Sequence, residues 1–276
     1  MSGENPYQDG RGNKDATLGT TQGASEMQPV HHSGKVKPAS GGPFLIGDCM
    51  TGGYGKGPDI LHDCTIAVDP GEIAVIVGPN GAGKSTAMKA IFGMLDVRSG
   101  AVRLDGEDIT GLSPQDRVVK GMGFVPQTSN IFTSMTVEEN LEMGAFIRTD
   151  DFKDTMEQVY DLFPILKDFL HRRGGDLSGG QQQQLAIARA MITKPKLLLL
   201  DEPTEGIQPI VMDELFDRII EVARTGLPIL MVEQNAKQAL EIADKGYVLV
   251  QGANAHTGTG KELLADPEVR QSFLGG

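Results

Sequence analysis

An α/β fold built on a mainly parallel sheet is predicted by three observations. A run of β-branched residues (Ile73, Val75, Ile76, Val77) closes on the glycine-rich nonapeptide Gly78-Pro79-Asn80-Gly81-Ala82-Gly83-Lys84-Ser85-Thr86. Two further apolar runs, residues 197–200 and 229–232, are continuous rather than alternating, as in strands buried on both faces. Between them, residues 212–224 carry helical periodicity and supply a crossover.

Taken in order, residues 1–43 are poor in apolar side chains and rich in Gly, Ser, Asn, Gln and Thr. They read as a disordered polar tail outside the fold, with His31-His32 incidental rather than a metal site. The folded domain is expected over residues 44–276. Short strands at 44–46, 65–68, 73–77 and 101–104, separated by Gly, Pro and Asp turns, suggest an antiparallel β lobe around the nonapeptide. A more helical region follows over 137–194. The chain has no internal repeat, so one such domain is expected rather than two.

The bulk properties exclude several classes. No apolar stretch approaches the roughly 18 residues needed to cross a bilayer. The polar N-terminus gives no expectation of a secretory signal. Two cysteines, Cys49 and Cys64, make no disulfide framework and lack metal-ligand spacing. They read as small buried or half-buried residues in a reducing compartment. A formal charge of −12 argues against a nucleic-acid surface and against direct adhesion to anionic lipid. A membrane role would therefore run through a protein partner.

The nonapeptide is a phosphate loop of the P-loop NTPase kind, between a strand and a helix-forming run at 87–95. Gly78, Gly81 and Gly83 permit backbone angles and close approaches that a Cβ would obstruct. Lys84 can reach the β- and γ-phosphates, and the Ser85 hydroxyl is placed for Mg²⁺. The start of the helix adds its positive dipole end to the anion site.

Four leucines, Leu197 to Leu200, run into Asp201-Glu202-Pro203. A buried strand that delivers two carboxylates at its C-terminal end does so where an open α/β sheet binds ligand. Beside a phosphate loop, Asp201 is expected to hold Mg²⁺, directly or through water, and Glu202 to orient and deprotonate the attacking water. The segment Leu177-Ser178-Gly179-Gly180-Gln181 precedes a helical run at 182–191. Its serine and two glycines offer a hydroxyl and N–H donors at a helix start. Taken alone, a serine-capped helix after a flexible turn explains it equally well.

Phosphate loop, L-S-G-G-Q and L-L-L-L-D-E-P, in this order and spacing, resemble the ATP-binding subunit of an ABC transporter, from about Phe44 to the C-terminus. The resemblance implies a RecA-like core with an antiparallel β lobe and an α-helical subdomain, here at about 131–176. It also implies a head-to-tail dimer, in which ATP lies between the phosphate loop of one subunit and the signature, Leu177 to Gln181, of the other. Tyr54 matches the aromatic that stacks on adenine, although a lone tyrosine is also a packing residue. Gln127, in F-V-P-Q, matches the glutamine that senses Mg²⁺ and water; a polar strand end without a role is the alternative.

Two positions depart from the family pattern. Gln234 stands where a histidine usually follows the last core strand; it can donate a hydrogen bond to the γ-phosphate but cannot shuttle a proton. Gln208 stands where an aspartate normally closes the loop after the glutamate. With Lys84, Asp201 and Glu202 all present, hydrolysis is still expected.

V-E-Q-N-A-K-Q-A-L, A-D-K-G-Y-V-L, the ending A-D-P-E-V-R-Q-S-F-L-G-G and M-T-V-E-E-N-L-E-M-G-A-F resemble the LivF-type subunit of branched-chain amino acid importers. E-G-I-Q-P also fits related urea and short-amide importers. The resemblance implies ATP and Mg²⁺ as ligands. Its implied partners are a second, LivG-like ATPase or a second copy, two integral-membrane permeases and, indirectly, a solute-binding protein. It places the subunit in the cytoplasm, at the inner face of the cell membrane. Other classes are a soluble ABC ATPase of DNA repair or translation and a non-hydrolysing regulatory ATP-binder. The former usually carries tandem nucleotide domains or a long coiled-coil insertion, and this chain has neither.

Overall fold

The computed structural model describes residues 42–128 and 131–274; the expected tail lies outside them up to residue 41. The chain enters through β1 (Leu45–Gly53), β2 (Leu61–Val68), β3 (Ile73–Val77), α1 (Lys84–Phe92), β4 (Asp96–Leu104), β5 (Glu107–Asp108), α2 (Pro114–Val119) and β6 (Met122–Val125). A helical stretch follows, with α3 (Val137–Gly144), α4 (Lys153–Leu162), α5 (Pro164–Asp168), a 3₁₀ turn (Gly174–Asp176) and α6 (Gly179–Ile192). Next come β7 (Leu197–Asp201), α7 (Pro209–Arg224), β8 (Ile229–Val232), α8 (Ala236–Ile242), β9 (Lys245–Val250) and β10 (Ala253–Gly258). The helices α9 (Gly260–Ala265) and α10 (Pro267–Phe273) close the chain.

The central sheet has the order β10-β9-β3-β8-β7-β6, parallel from β9 to β6, with β10 antiparallel at its edge. A second, antiparallel sheet has the order β2-β1-β4-β5. The antiparallel lobe is therefore real, but the expected membership of residues 73–77 is corrected. β3 lies inside the parallel sheet, between β8 and β9. All five of its residues are buried, which is the mark of a strand covered on both faces. Phe44 precedes β1 instead of opening it, and β6, β9 and β10 join the predicted strands.

Alternation along the central strands divides the core in two. Ile73, Val75, Leu198, Leu200, Ile229 and Met231 face the cluster that includes α6, α7 and α8. Ala74, Ile76, Leu197, Leu199, Leu230 and Val232 face α1 and the antiparallel lobe. The period of two along a strand requires this split once helices cover both faces. Each fully buried leucine of β7 contributes about 1.5–3 kcal/mol relative to an exposed one. Tyr247 bolts the two sheets together: its hydroxyl donates to Ala67 O at 2.8 Å and accepts from Ala67 N at 2.7 Å.

The helical stretch between β6 and β7 is built from local signals. Thr136 and Glu139 form a capping box at the start of α3. The fully buried Asn140 amide accepts from Phe132 N at 2.8 Å and donates to Phe132 O and Thr136 O at 2.9 Å each. These bonds hold the turn before α3 against its first coil.

The cysteines are unpaired. Cys64 is buried on β2, and burial pushes its thiol up to about 12, whereas Cys49 is exposed. Because the thiolate is the nucleophile, a thiol-specific reagent at neutral pH is expected to titrate one cysteine of the native protein promptly. The second should react only after denaturation; prompt reaction of both would contradict this packing.

Candidate active site

The C-terminal ends of four parallel strands meet at one edge of the central sheet. β3 delivers the phosphate loop, β8 delivers Gln234, β7 delivers Asp201 and Glu202, and β6 leads to Gln127. The register makes this a line: Ile76 pairs with Val232, Asp201 with Val232, and Val125 with Leu200. A cleft of about 390 Å³ opens there, lined by Asn80 to Thr86, Gln127, Glu202, Glu205 and Gln234.

The phosphate loop has the shape its glycines anticipate. Gly78 has φ +146, and a Cβ there would lie 2.3 Å from Leu249 O. Gly83 has φ +95 and caps α1 with no side-chain bond and no acid in the first helical turn. The first N–H groups of α1 thus keep their positive end for an anion, while α2, α3, α6, α9 and α10 spend theirs on side-chain caps. Lys84 is 5% exposed and folds back, its Nζ donating to Gly78 O at 3.0 Å and Pro79 O at 3.3 Å. Those carbonyls hold the ammonium beside the loop until phosphate oxygens compete for it.

The two carboxylates differ in setting. Asp201 is buried; burial raises its carboxyl above the ordinary range, against the Ser85 hydroxyl and the Lys89 charge, which lower it. Its Oδ1 has no hydrogen-bond partner. Glu202 is half-buried and is likewise raised by burial, with Lys84 pulling the other way. Its Oε2 accepts from Gln127 Nε2 at 3.1 Å across 75 residues of sequence. Glu202 also holds φ +48, a left-handed angle that costs a non-glycine residue about 1–2 kcal/mol.

An orphaned carboxylate oxygen beside a serine hydroxyl is a hard-oxygen set that fits Mg²⁺. No group of three or more His, Cys, Asp or Glu gathers among the described residues. Mg²⁺ held by one carboxylate plus nucleotide phosphates needs no such group.

Several expected residues stand apart from the cleft. Ser178 caps α6 through a capping box with Gln181, on a segment that does not line it. Gly180 packs there so closely that a Cβ would lie 2.3 Å from Val211 Cγ1, at the first turn of α7. Gln208 caps α7 with its backbone alone, and Tyr54 sits exposed on the β1–β2 loop. Two residues escaped the sequence reading. Glu205 lines the cleft, and a third acid in D-E-P-T-E was its available signal. Glu233 is buried behind the cleft, with no signal in M-V-E-Q beyond its strand-end position.

The ABC transporter family model matches residues 61–205. The branched-chain amino acid transport ATP-binding protein BraG of Pseudomonas aeruginosa is 45% identical over 81% of this chain and 96% of its own length. A probable LivF of Archaeoglobus fulgidus is 42% identical over 82% and 96%. The lipopolysaccharide export ATP-binding protein LptB of Haemophilus influenzae is 33% identical over 80% and 92%. Among solved structures, the ADP conformation of an ATP-binding cassette from an ABC transporter superposes with TM-score 0.76 at 28% identity, covering 85% of this chain and 99% of the other.

Proposed function

The chain belongs to the ABC transporter family as an ATP-hydrolysing subunit, and from that premise we propose that it powers an importer of branched-chain amino acids. The observation that carries the ATPase reading is the meeting of Gln127 with Glu202, beside Lys84, Ser85 and Gln234. The solute class rests on the higher identity to BraG and LivF than to LptB.

In this reading the N–H groups of the phosphate loop and Lys84 hold the nucleotide's phosphates, and Tyr54 stacks on its adenine. Glu202 orients the attacking water and takes its proton, Gln127 senses that water and Mg²⁺, and Gln234 donates to the γ-phosphate. Ser85, Asp201 and Gln127 would hold Mg²⁺, which when bound would supply charge neutralisation for the phosphates. The signature, Leu177 to Gln181, acts on the nucleotide of a second ATPase subunit, LivG-like or identical; its absence from the cleft of its own chain supports this. ATP drives closure because it binds the closed pair better than the open one.

Movement passes to two permeases through the helical subdomain. A groove of about 300 Å³ between that subdomain and the core is lined by Phe124, Pro126, Phe132, Met143 and Ile147 among others, and Phe146, next to Ile147 in sequence, is 83% exposed. Exposed aromatic and aliphatic side chains around one groove suit a protein partner. No helix among the described residues is long and apolar enough to cross a membrane, so attachment at the cytoplasmic face would run through those permeases.

The test is co-expression with the permeases and binding protein of a branched-chain amino acid importer, followed by reconstitution in vesicles. ATP-dependent accumulation of leucine, isoleucine or valine, with ATPase stimulated by the loaded binding protein, is expected. Outward lipid transfer would instead favour the LptB-like role, and uptake of urea or short amides would move the substrate class.

A further inference from the structure

The buried carboxylate of Glu233 is unused in the scheme above, yet it touches both loops that carry the chemistry. It is 1% exposed. Its Oε1 accepts from Thr204 N at 3.0 Å, and its Oε2 accepts from Gln234 N at 3.1 Å. Burial raises this carboxyl above the ordinary range, while the Thr204 hydroxyl and the N–H groups of Thr204, Asn235 and Gln234 around it pull it down. Behind it, Glu233 N donates to Ile76 O at 3.1 Å, one residue before the end of the phosphate-loop strand.

Thr204 sits in the turn that presents Glu202: Glu205 N closes that turn on Glu202 O at 3.1 Å, and Glu202 N is held by Val232 O at 2.9 Å. The left-handed angle of Glu202 persists only where its surroundings over-determine it. Glu233 supplies part of that constraint from the far side of the turn. A carboxylate has two acceptor oxygens and can take an N–H from each loop at once, which an amide of the same length, with one oxygen, cannot do.

We propose that Glu233 is a positioning residue for ATP hydrolysis, a buried clamp that fixes the Glu202 turn relative to Gln234. The base for the water and the donor for the γ-phosphate then keep one geometry through each cycle. Gln234 lacks the protonatable ring of a histidine, so its contribution depends on placement alone, and Glu233 holds the N–H of that very residue. The inference rests on the assignment of Glu202 and Gln234 above.

The test is Glu233→Gln in the full chain assembled with its partner subunits. The amide keeps one acceptor oxygen but turns an NH₂ toward an N–H, so one arm of the clamp opens without a change of size. A fall in kcat of about 10- to 100-fold is expected, as for a small misplacement of catalytic groups, with KM and ATP affinity within about threefold of the parent. In a Gln234→Ala background the same substitution should have much less effect, since the backbone N–H is still clamped but the side chain it positions is gone. Thr204→Ala, which removes only the hydroxyl donor, should show a smaller fall with the same KM–kcat split, and keeps the question open to measurement if Glu233→Gln folds poorly.

Parent-level kcat in both variants, or a loss shared equally by kcat and ATP affinity, overturns the clamp. So does full additivity with Gln234→Ala. Glu202→Gln run alongside separates the two failures. If it is inactive while the Glu233 and Thr204 variants are normal, only the clamp is lost. If it hydrolyses at the parent rate, the assignment beneath the clamp fails first.

Discussion

Glu202→Gln is expected to bind ATP with near-parental affinity and to lose hydrolysis by about 10²- to 10⁴-fold, the usual contribution of a positioned general base. The amide has the same shape but cannot take a proton from water. The groups proposed to bind phosphate lie elsewhere, in the bare first turn of α1 and in Lys84, and they are untouched. Gln127 still finds an oxygen acceptor across the cleft, so the local contact survives. With the nucleotide held and not cleaved, the closed pair should accumulate as a nucleotide-trapped dimer. Single-turnover phosphate release, equilibrium binding of labelled ATP and sizing with ATP measure the three parts. Turnover at the parental rate would remove Glu202 from the role of base.

The largest stability effect is expected at Arg117, which is 1% exposed. Its guanidinium donates to Leu112 O, Ala90 O, Ile91 O and Thr110 O, with bonds from 2.5 to 3.2 Å. Two of those carbonyls belong to the last turn of α1: Ala90 O also accepts from Gly93 N at 3.1 Å, whereas Ile91 O lies past the last helical N–H. Burial lowers the guanidinium to about 10, so it stays charged at neutral pH and suits the negative end of the helix. Gly93 leaves the necessary room: a Cβ there would lie 2.8 Å from Arg117 Nε. Arg117→Met fills the same space and takes the guanidinium donors from Leu112 O, Ile91 O and Thr110 O, leaving Ala90 O with Gly93 N alone, which should destabilise the fold by about 3–5 kcal/mol. Urea unfolding measures it; a midpoint within error of the parent would show that other donors or water take over those carbonyls.

Much of the site was legible because its chemistry is local in sequence. The phosphate loop needs glycine at fixed offsets and a lysine at the first turn of the following helix, and Gly78, Gly83 and Lys84 take up the expected geometry. The serine of the signature caps its helix as a Ser-x-x-Gln capping box, which four residues suffice to encode. The strand 73–77 was found with its boundaries but assigned to the wrong sheet. Five apolar residues in a row carry no period, and only their pairing with β8 and β9 distinguishes core from lobe. β9 and β10 passed unread because Gly246 and the polar residues of β10 weaken the strand pattern.

What the sequence determined by itself is the ligand and the sheet's interior, since both are written in contiguous residues whose backbone angles and burial leave few alternatives. What the tertiary structure alone decided is the company each group keeps. Gln127 and Glu202 stand 75 residues apart and meet at 3.1 Å because β6 and β7 pair in parallel and end together. Glu233 became a clamp because β8 lies between β3 and β7, so its strand end reaches both loops at once. Strand order is settled by helices covering both faces of the sheet, a balance of the whole core that no short window of residues contains.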